Sequence, residues 1–130
     1  MIDPNKIFQI SIKGLVFDAE GRVLVLKEHD GRWDLPGGRL EHGERWQDAL
    51  RRECKEEMGV NCEIIDEHPY FFWSAQDVDN NWRLLLCFRI TLDSLDFIEN
   101  KENVDHGFFA KKDLDKIDLC IQTTPLRELI

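Results

Sequence analysis

Residues 38–60 read GRLEHGERWQDALRRECKEEMGV and contain the clearest helix signal in the chain. Residues 45–58 are rich in helix-forming side chains and include neither glycine nor proline. Gly59 follows them, at the position where a residue in the left-handed conformation commonly ends a helix. The sequence therefore predicts a helix over residues 45–58. Its predicted buried side carries apolar residues at every fourth position: Trp46, Leu50, Cys54 and Met58.

The same helix carries a cluster of three glutamates. Glu53, Glu56 and Glu57 are spaced i, i+3 and i+4, so a helix places their carboxylates on one side, within about one turn. Because like charges repel, this grouping favours a binding site for a hard cation, and Mg²⁺ suits carboxylate oxygens best. The alternative is a solvated charged surface, on which nearby bases pair with the glutamates: Arg45, Arg51, Arg52 and Lys55.

The spacing of residues around these glutamates resembles the signature of the Nudix (MutT-like) hydrolases. Gly38 is followed after five residues by Glu44, and after seven more the chain reads RECKEEMGV. This matches the family pattern G-x5-E-x7-R-E-U-x-E-E-x-G-U, in which U is a bulky apolar residue. Cys54 stands where the family usually has an aliphatic residue and can serve the same packing role. Arg45 stands where relatives often have Ser or Thr, so the sequence does not identify a residue that caps the N-terminus of the helix.

The resemblance and the length of the chain together imply a fold. We expect the α/β (α+β) class, namely a Nudix-type α/β/α sandwich in which a mixed β-sheet is flanked by helices. A chain of 130 residues suits a single domain over residues 1–130.

Apolar patterns predict where the other elements lie. Alternating and β-branched apolar residues predict a hairpin of residues 7–17 and 22–27. Pro36-Gly37-Gly38 is expected to interrupt regular structure. Residues 70–74 and 82–92 are predicted to form an antiparallel pair. The remaining predicted elements are a shorter strand over residues 107–110 and partly helical segments over 111–117 and 125–130.

The resemblance also assigns roles to acidic and basic residues of the helix. Glu53 would bind metal and, as in some members of the family, act as the base. Glu56 and Glu57 would be further metal ligands. Arg52 would hold Glu53 by a charge-assisted hydrogen bond, and Glu44 would position Arg52.

The resemblance assigns roles to the glycines as well. Gly37 would lend its backbone carbonyl to the cation, Gly38 would allow the tight turn before the helix, and Gly59 is a structural position of the pattern. For Gly37 and Gly38 the alternative is a plain turn.

Members of the family commonly recruit one more carboxylate from a distant loop. Glu102 lies six residues before Phe108 and fits the usual offset to an aromatic strand residue, which would make it a metal ligand. Glu99 and Asp105 are the alternatives, and a solvent-facing acid without function is a third. Either Glu53 or this loop carboxylate would be the general base.

Aromatic residues offer surfaces on which a nucleobase can stack, although most aromatic residues in strands belong to the core. We expect at most one or two of the following to face a ligand: Tyr70, Phe71, Phe72, Trp73 and Trp82. Trp33, next to the glycine-rich segment, is expected to be a packing residue.

Charge and composition exclude several classes of function. A net charge of −9 argues against sequence-independent binding of nucleic acid, because that requires excess lysine and arginine. No apolar run is long enough for a membrane span, and the N-terminus shows no signal region. The four cysteines lack zinc-site spacing and are expected to be buried, reduced thiols. We therefore expect a cytoplasmic protein; a homodimer is left open.

The function implied by the resemblance is metal-assisted hydrolysis. The expected reaction is Mg²⁺-dependent cleavage of a phosphoanhydride bond in a nucleoside diphosphate derivative, with Mn²⁺ as a substitute ion. Nucleoside triphosphates, including oxidised ones, are the first expected substrates, followed by nucleotide sugars and dinucleoside polyphosphates. Two other classes of function are open: a non-catalytic module of the same fold that senses nucleotides, and a protein-interaction module.

Overall fold

The computed structural model describes residues 1–98 and 103–130 and contains eight named strands and three short or medium α-helices. The strands are β1 Gln9–Leu15, β2 Val23–Glu28, β3 Trp33–Asp34, β4 Gly37–Arg39, β5 Cys62–Ile64, β6 Phe71–Gln76, β7 Trp82–Leu92 and β8 Asn103–Phe109. The helices are α1 Trp46–Met58, α2 Lys111–Leu114 and α3 Leu126–Leu129, with 3₁₀ turns at Pro4–Lys6 and Ile121–Thr123.

The strands form two sheets. In the larger sheet the order is β4-β1-β7-β5, and β6 also pairs with β7. Strand β1 is parallel to β7, whereas the other pairs of this sheet are antiparallel. The smaller sheet has the order β3-β2-β8, with antiparallel pairs. The predicted antiparallel pairing of residues 70–74 with 82–92 is confirmed, and the sheet is mixed, as expected.

The strands separate two apolar cores, because alternate residues of a strand point to opposite faces. On β2, for example, Leu24 and Leu26 contribute to one core and Val23 and Val25 to the other. The first core is closed by α1, and the second by Leu114 of α2 and Leu126 of α3. Helices therefore cover both sides of the strands, and the expected α+β sandwich is confirmed.

Helix α1 agrees with its prediction to within one residue. Leu50, Cys54 and Met58 are fully buried, as is Ala49, and the partly buried ring of Trp46 stacks on Phe88 with centroids 3.9 Å apart. Gly59 ends the helix with φ of 73°, in the left-handed region. Within the described chain, Arg45 precedes the helix without a capping hydrogen bond from its side chain.

The predicted hairpin of residues 7–17 and 22–27 is wrong in its pairing. A turn does join the two segments, with Asp18 N–H donating to the carbonyl of Arg22 at 3.0 Å. Beyond the bridge between Phe17 and Val23 and a hydrogen bond from the N–H of Leu24 to the carbonyl of Val16 at 3.0 Å, however, the strands enter different sheets. β1 lies between β4 and β7, and β2 between β3 and β8. Alternating apolar residues indicate a buried strand but do not specify its neighbour.

The expected interruption at Pro36-Gly37-Gly38 is also wrong, since residues Gly37–Arg39 form strand β4. These residues pair with β1, with Lys13 opposite Gly37 and Ile12 opposite Gly38. Gly37 suits this strand because β4 passes so close to β1 that an added Cβ would collide with the carbonyl of Ile12. Strand β5 was not predicted. The segments expected to be partly helical contain α2 and α3, each of one turn.

The four cysteines are buried free thiols, as predicted. Among the residues described, no helix has the length and apolar character needed to cross a bilayer.

We predict that Gly37→Ala destabilises the protein much more than Gly43→Ala. Both glycines have positive φ, 125° and 78°. A Cβ on Gly37 would collide with the backbone carbonyl of Ile12, whereas one on Gly43 would meet no described heavy atom within 4 Å. Gly43→Ala should lower the free energy of unfolding by about 1–2 kcal/mol, and Gly37→Ala by at least about 3 kcal/mol. Urea unfolding measures both; equal losses would contradict the close approach.

Candidate functional site

The glycine pair of β4 lies against the glutamate side of α1. The N–H of Gly37 donates to Oε1 of Glu57 at 2.8 Å. At Gly38, an added Cβ would lie within about 3 Å of all three carboxylate atoms of Glu53. The absence of a side chain at Gly38 therefore makes room for the Glu53 carboxylate, whereas Glu57 reaches strand β4 through its hydrogen bond with the Gly37 N–H.

Arg52 joins three glutamates on the outer side of this contact. Its Nε donates to Oε2 of Glu44 at 2.8 Å and its Nη2 to Oε1 of Glu44 at 3.0 Å. Its Nη1 donates to Oε1 of Glu53 at 3.0 Å and lies 3.3 Å from Oε2 of Glu56. The hydrogen bonds to Glu44 raise the pKa of Arg52 and lower that of Glu44. Glu53 is thereby held on one side by Arg52 and on the other by the backbone of Gly38.

Glu57 is half-buried, and its carboxylate accepts the N–H of Gly37. Its burial raises the pKa of its carboxyl group to about 8. The charge of Lys13 and the hydrogen bond from Gly37 act in the opposite direction, whereas the charges of Glu53 and Asp34 raise the pKa further. A buried carboxylate in this position favours a cation that neutralises its charge.

A buried ion pair that sequence reasoning missed lies beneath the same strand. Nζ of Lys13 donates to Oδ2 of Asp34 at 3.1 Å, and 8% and 10% of the two side chains are exposed. The second carboxylate oxygen of Asp34 accepts the hydroxyl of Thr123 at 2.7 Å. The sequence signal for this pair is a lysine within the apolar strand sequence QISIKGL. Lysine is rarely buried without a partner, so a lysine in a buried strand predicts an acidic residue beside it.

Glu53, Glu56 and Glu57 do not form a tight ligand cluster by themselves. Among the described residues, the one group of three acidic or thiol side chains with ligand atoms within 4.8 Å of one another is Glu28, Asp34 and Cys120. Asp34 in that group is already bound by Lys13 and Thr123. Both carboxylate oxygens of Asp34 are thus already engaged in hydrogen bonds. Glu56 is exposed at the edge of the site.

The predicted loop acids are described only in part. Glu102 and its alternative Glu99 lie outside the described residues. Asp105 is an exposed residue of β8 opposite Lys27 of β2.

Two neighbouring cavities adjoin Glu57. One has a volume of about 240 Å³ and is lined by Glu57 and Asn103 together with Leu26, Phe97 and Ile98, among other residues. The other has a volume of about 410 Å³ and is lined by Glu57, Asn103 and residues 28–30. Glu57 is therefore the glutamate of the α1 cluster that both cavities share.

The aromatic residues that could stack on a base divide into buried and exposed ones. Trp73 is buried, and its indole N–H donates to the carbonyl of Gln122 at 2.7 Å. Tyr70, Phe72 and Trp82 have large exposed fractions. The ring of Trp33 packs edge-on against Phe109 with centroids 5.1 Å apart. Trp73 is therefore a core residue and does not offer its ring to a ligand.

The oxygen atoms at the site suit a hard divalent cation. Carboxylates of Glu53, Glu56 and Glu57 lie along one side of α1, facing the strand that contains Gly37, whose N–H donates to Glu57 and whose carbonyl accepts from Lys13 at 3.1 Å. Mg²⁺ and Mn²⁺ both prefer carboxylate and carbonyl oxygens. The chemistry of the donors and the burial of Glu57 are therefore consistent with a bound metal ion.

Comparison with known proteins identifies relatives of this chain. A family model described as the NUDIX domain matches residues 8–123. The chain is 30% identical over 120 residues to the nucleoside triphosphatase NudI of Escherichia coli O81 (strain ED1a), covering 80% of this chain and 84% of that protein.

Two solved structures are similar in fold. The MutT protein from Methanosarcina mazei Go1 has a TM-score of 0.80 and 19% identity, with coverage of 98% of this chain and 95% of the other. A UDP-X diphosphatase has a TM-score of 0.75 and 21% identity; the match covers 89% of this chain and 56% of the other, so this chain spans little more than half of that protein.

We predict that Glu57→Gln removes a pH-dependent loss of stability from the metal-free protein. The pKa of Glu57 rises from the ordinary 4.5 to about 8 on folding, so between these values the folded state holds more protons than the unfolded chain. The contribution of Glu57 to the free energy of unfolding therefore falls as pH rises through this window and is constant above it. Glutamine keeps an oxygen for the Gly37 N–H.

Urea unfolding with EDTA at about pH 5 and about pH 8 measures this difference. The stability of the wild type relative to Glu57→Gln should decrease with rising pH. If the free energies of unfolding of the wild type and of Glu57→Gln change equally with pH, the burial of Glu57 does not oppose its ionisation.

Proposed function

Because the chain belongs to the Nudix family of hydrolases, we propose that it hydrolyses a phosphoanhydride bond in a nucleoside diphosphate derivative, with Mg²⁺ as the metal. The contact of Glu53 and Glu57 with the backbone of Gly37 and Gly38 is the observation that carries this proposal. A solvated charged surface would not require carboxylates to be packed against glycine backbone.

The metal would be held by oxygens of the site described above. We assign its ligands to Glu53, Glu56, Glu57 and the carbonyl of Gly37, which would use the lone pair that is not occupied by Lys13, and we propose Glu102 as a further ligand. Mn²⁺ is the expected substitute. When bound, the cation would neutralise charge on the pyrophosphate group and lower the pKa of an attacking water.

The residues of the chain supply positioning and proton transfer. Arg52 restrains Glu53 through one N–H while two others fix Glu44, so the carboxylate of Glu53 has a defined orientation. Either Glu53 or the loop carboxylate takes the proton from the attacking water. Phosphoryl transfer depends mainly on positioning and charge stabilisation, which agrees with a site built from acids and without a conspicuous nucleophile.

Nucleoside triphosphates are the first substrates that we propose. The relative at 30% identity is named a nucleoside triphosphatase. Nucleotide sugars and dinucleoside polyphosphates follow. The net charge of −9 disfavours nucleic acid as a partner. The free thiols agree with a reducing, cytoplasmic location.

The test is release of phosphate or pyrophosphate from a panel of nucleoside triphosphates, nucleotide sugars and dinucleoside polyphosphates, with Mg²⁺ and with EDTA. Mg²⁺-dependent release from at least one class would support the proposal. A non-catalytic nucleotide-sensing module would instead bind members of the panel without turning them over.

We predict that Glu53→Gln and Glu57→Gln each lower turnover at saturating Mg²⁺ by at least about a hundredfold, because each removes a charged ligand or base while keeping its shape. Glu63→Gln serves as a matched control, since Glu63 is an exposed residue of β5. Its turnover should equal that of the wild type. Near-normal turnover of either variant would show that the substituted glutamate is neither a metal ligand nor the base.

We also predict that Arg52→Lys lowers turnover by at least about tenfold, although it conserves charge. The guanidinium donates to both oxygens of Glu44 and to Glu53 at once. An ammonium group has no planar fork and cannot keep all three contacts. Steady-state kinetics at saturating Mg²⁺ measure the effect, and Arg51→Lys is the control on an exposed neighbour. An unchanged rate for Arg52→Lys would mean that Arg52 only balances charge.

A further inference from the structure

Lys13 lies at the middle of the larger sheet, directly beside the glycine pair. It belongs to β1, opposite Gly37 of β4 on one edge and Cys87 of β7 on the other. Only 8% of its side chain is exposed. A buried ion pair contributes little net stability compared with apolar residues of similar volume, because both charges must lose their hydration. The position of Lys13 therefore calls for an explanation other than stability.

The ammonium group of Lys13 donates three hydrogen bonds, all to one short segment of the chain. It donates to Oδ2 of Asp34 at 3.1 Å, to the carbonyl of Leu35 at 3.3 Å and to the carbonyl of Gly37 at 3.1 Å. An ammonium group has three N–H donors, so each has a partner. The three acceptors lie within residues 34–37, and Lys13 thus fixes the backbone that leads into β4.

Asp34 is itself fixed from two further directions. Its Oδ1 accepts the N–H of Leu35 at 2.8 Å and the hydroxyl of Thr123 at 2.7 Å. Thr123 is fully buried in the 3₁₀ turn Ile121–Thr123. The carboxylate that holds Lys13 is therefore anchored to the C-terminal part of the chain.

Gly37 is consequently held at both ends. Its carbonyl accepts from Lys13, and its N–H donates to Glu57 at 2.8 Å. Its φ of 125° lies in a region that few residues other than glycine adopt, and a glycine without such restraints samples many conformations. The N–H of Gly37 shares its peptide plane with the preceding carbonyl, which accepts the N–H of Gly14 at 2.8 Å. Lys13 binds the carbonyls of the two adjoining peptide planes, those of Leu35 and Gly37, and so limits rotation of the plane between them.

We propose that Lys13 is a positioning residue, which holds residues 34–37 so that the Gly37 N–H points at Glu57 and keeps that carboxylate in place for reaction. The consequence for turnover rests on the proposed hydrolase function. The orientation of Gly37 does not, and it can be measured without substrate or metal.

The test compares two double variants that each remove a buried or partly buried ion pair. Lys13→Met with Asp34→Asn removes the pair beneath β4 without leaving an unpaired charge, and Asn keeps an oxygen for Thr123 and Leu35. The matched control is Arg83→Met with Asp77→Asn, which removes a pair with a 2.7 Å contact at the β6–β7 turn, outside the proposed site.

The first measurement is amide hydrogen exchange of Gly37 by NMR in EDTA, with the global stability of each variant determined by urea unfolding. The Lys13/Asp34 variant should exchange the Gly37 amide at least about tenfold faster than the wild type, beyond any change due to global stability. The control should leave this amide unchanged. Equal protection of Gly37 in the two double variants would overturn the proposal, whatever their stability.

The second measurement is steady-state kinetics with Mg²⁺ on a substrate that the wild type hydrolyses. The Lys13/Asp34 variant should lose at least about tenfold in kcat with a much smaller change in KM, since the residue acts on the carboxylate and not on substrate binding. Full kcat in this variant would also overturn the proposal. Absence of Mg²⁺-dependent hydrolysis in the wild type would instead refute the proposed function, while hydrogen exchange would still decide the orientation of Gly37.

Thr123→Val provides a milder variant if the double variant does not fold. It removes the hydroxyl that anchors Asp34 but keeps the ion pair and nearly the same side-chain volume. Its Gly37 amide should exchange about threefold faster, with kcat lowered in the same direction. Wild-type exchange and wild-type kcat in a folded Thr123→Val protein would contradict the proposal.

Discussion

The close approach of the β4 backbone to helix α1 is the constraint on which the rest of the site depends. Gly38 has no side chain where the Glu53 carboxylate packs, Gly37 has none where β4 passes close to β1, and the Gly37 N–H donates to Glu57. The approach requires β4 to pair with β1, and it requires α1 to be held at a fixed distance by its buried residues Leu50 and Cys54. Strand pairing and helix packing thus determine together where two carboxylates lie.

The features that were predictable from the sequence depend on local spacing. Helix α1, its end at Gly59 and the shared side of the glutamates all follow from periods of three to four residues and from the preference of glycine for positive φ. The family pattern then linked Arg52 with Glu44 and Glu53, and the structure has hydrogen bonds between these residues.

The features that were not predictable depend on contacts between distant segments. β1 pairs in parallel with β7, which begins almost seventy residues after the end of β1, and no local pattern specifies that partner. The hairpin prediction failed for this reason. Lys13 and Asp34 were overlooked because each is ordinary in isolation, and only the packing of β1 against residues 34–37 makes them a buried pair.

Two basic side chains, Arg52 and Lys13, bind residues of this acidic site, and the geometry of each charged group suits its position. Arg52 lies at the partly exposed edge, where a planar group can extend to Glu44, Glu53 and Glu56, which lie in different directions. Lys13 lies in the interior, where three oxygens of one short segment converge on a single nitrogen. A guanidinium there would spread its donors and its charge over three nitrogens in one plane, whereas the three acceptors converge on one atom. A compact ammonium group satisfies all three acceptors and leaves the opposite side of Gly37 to Glu57.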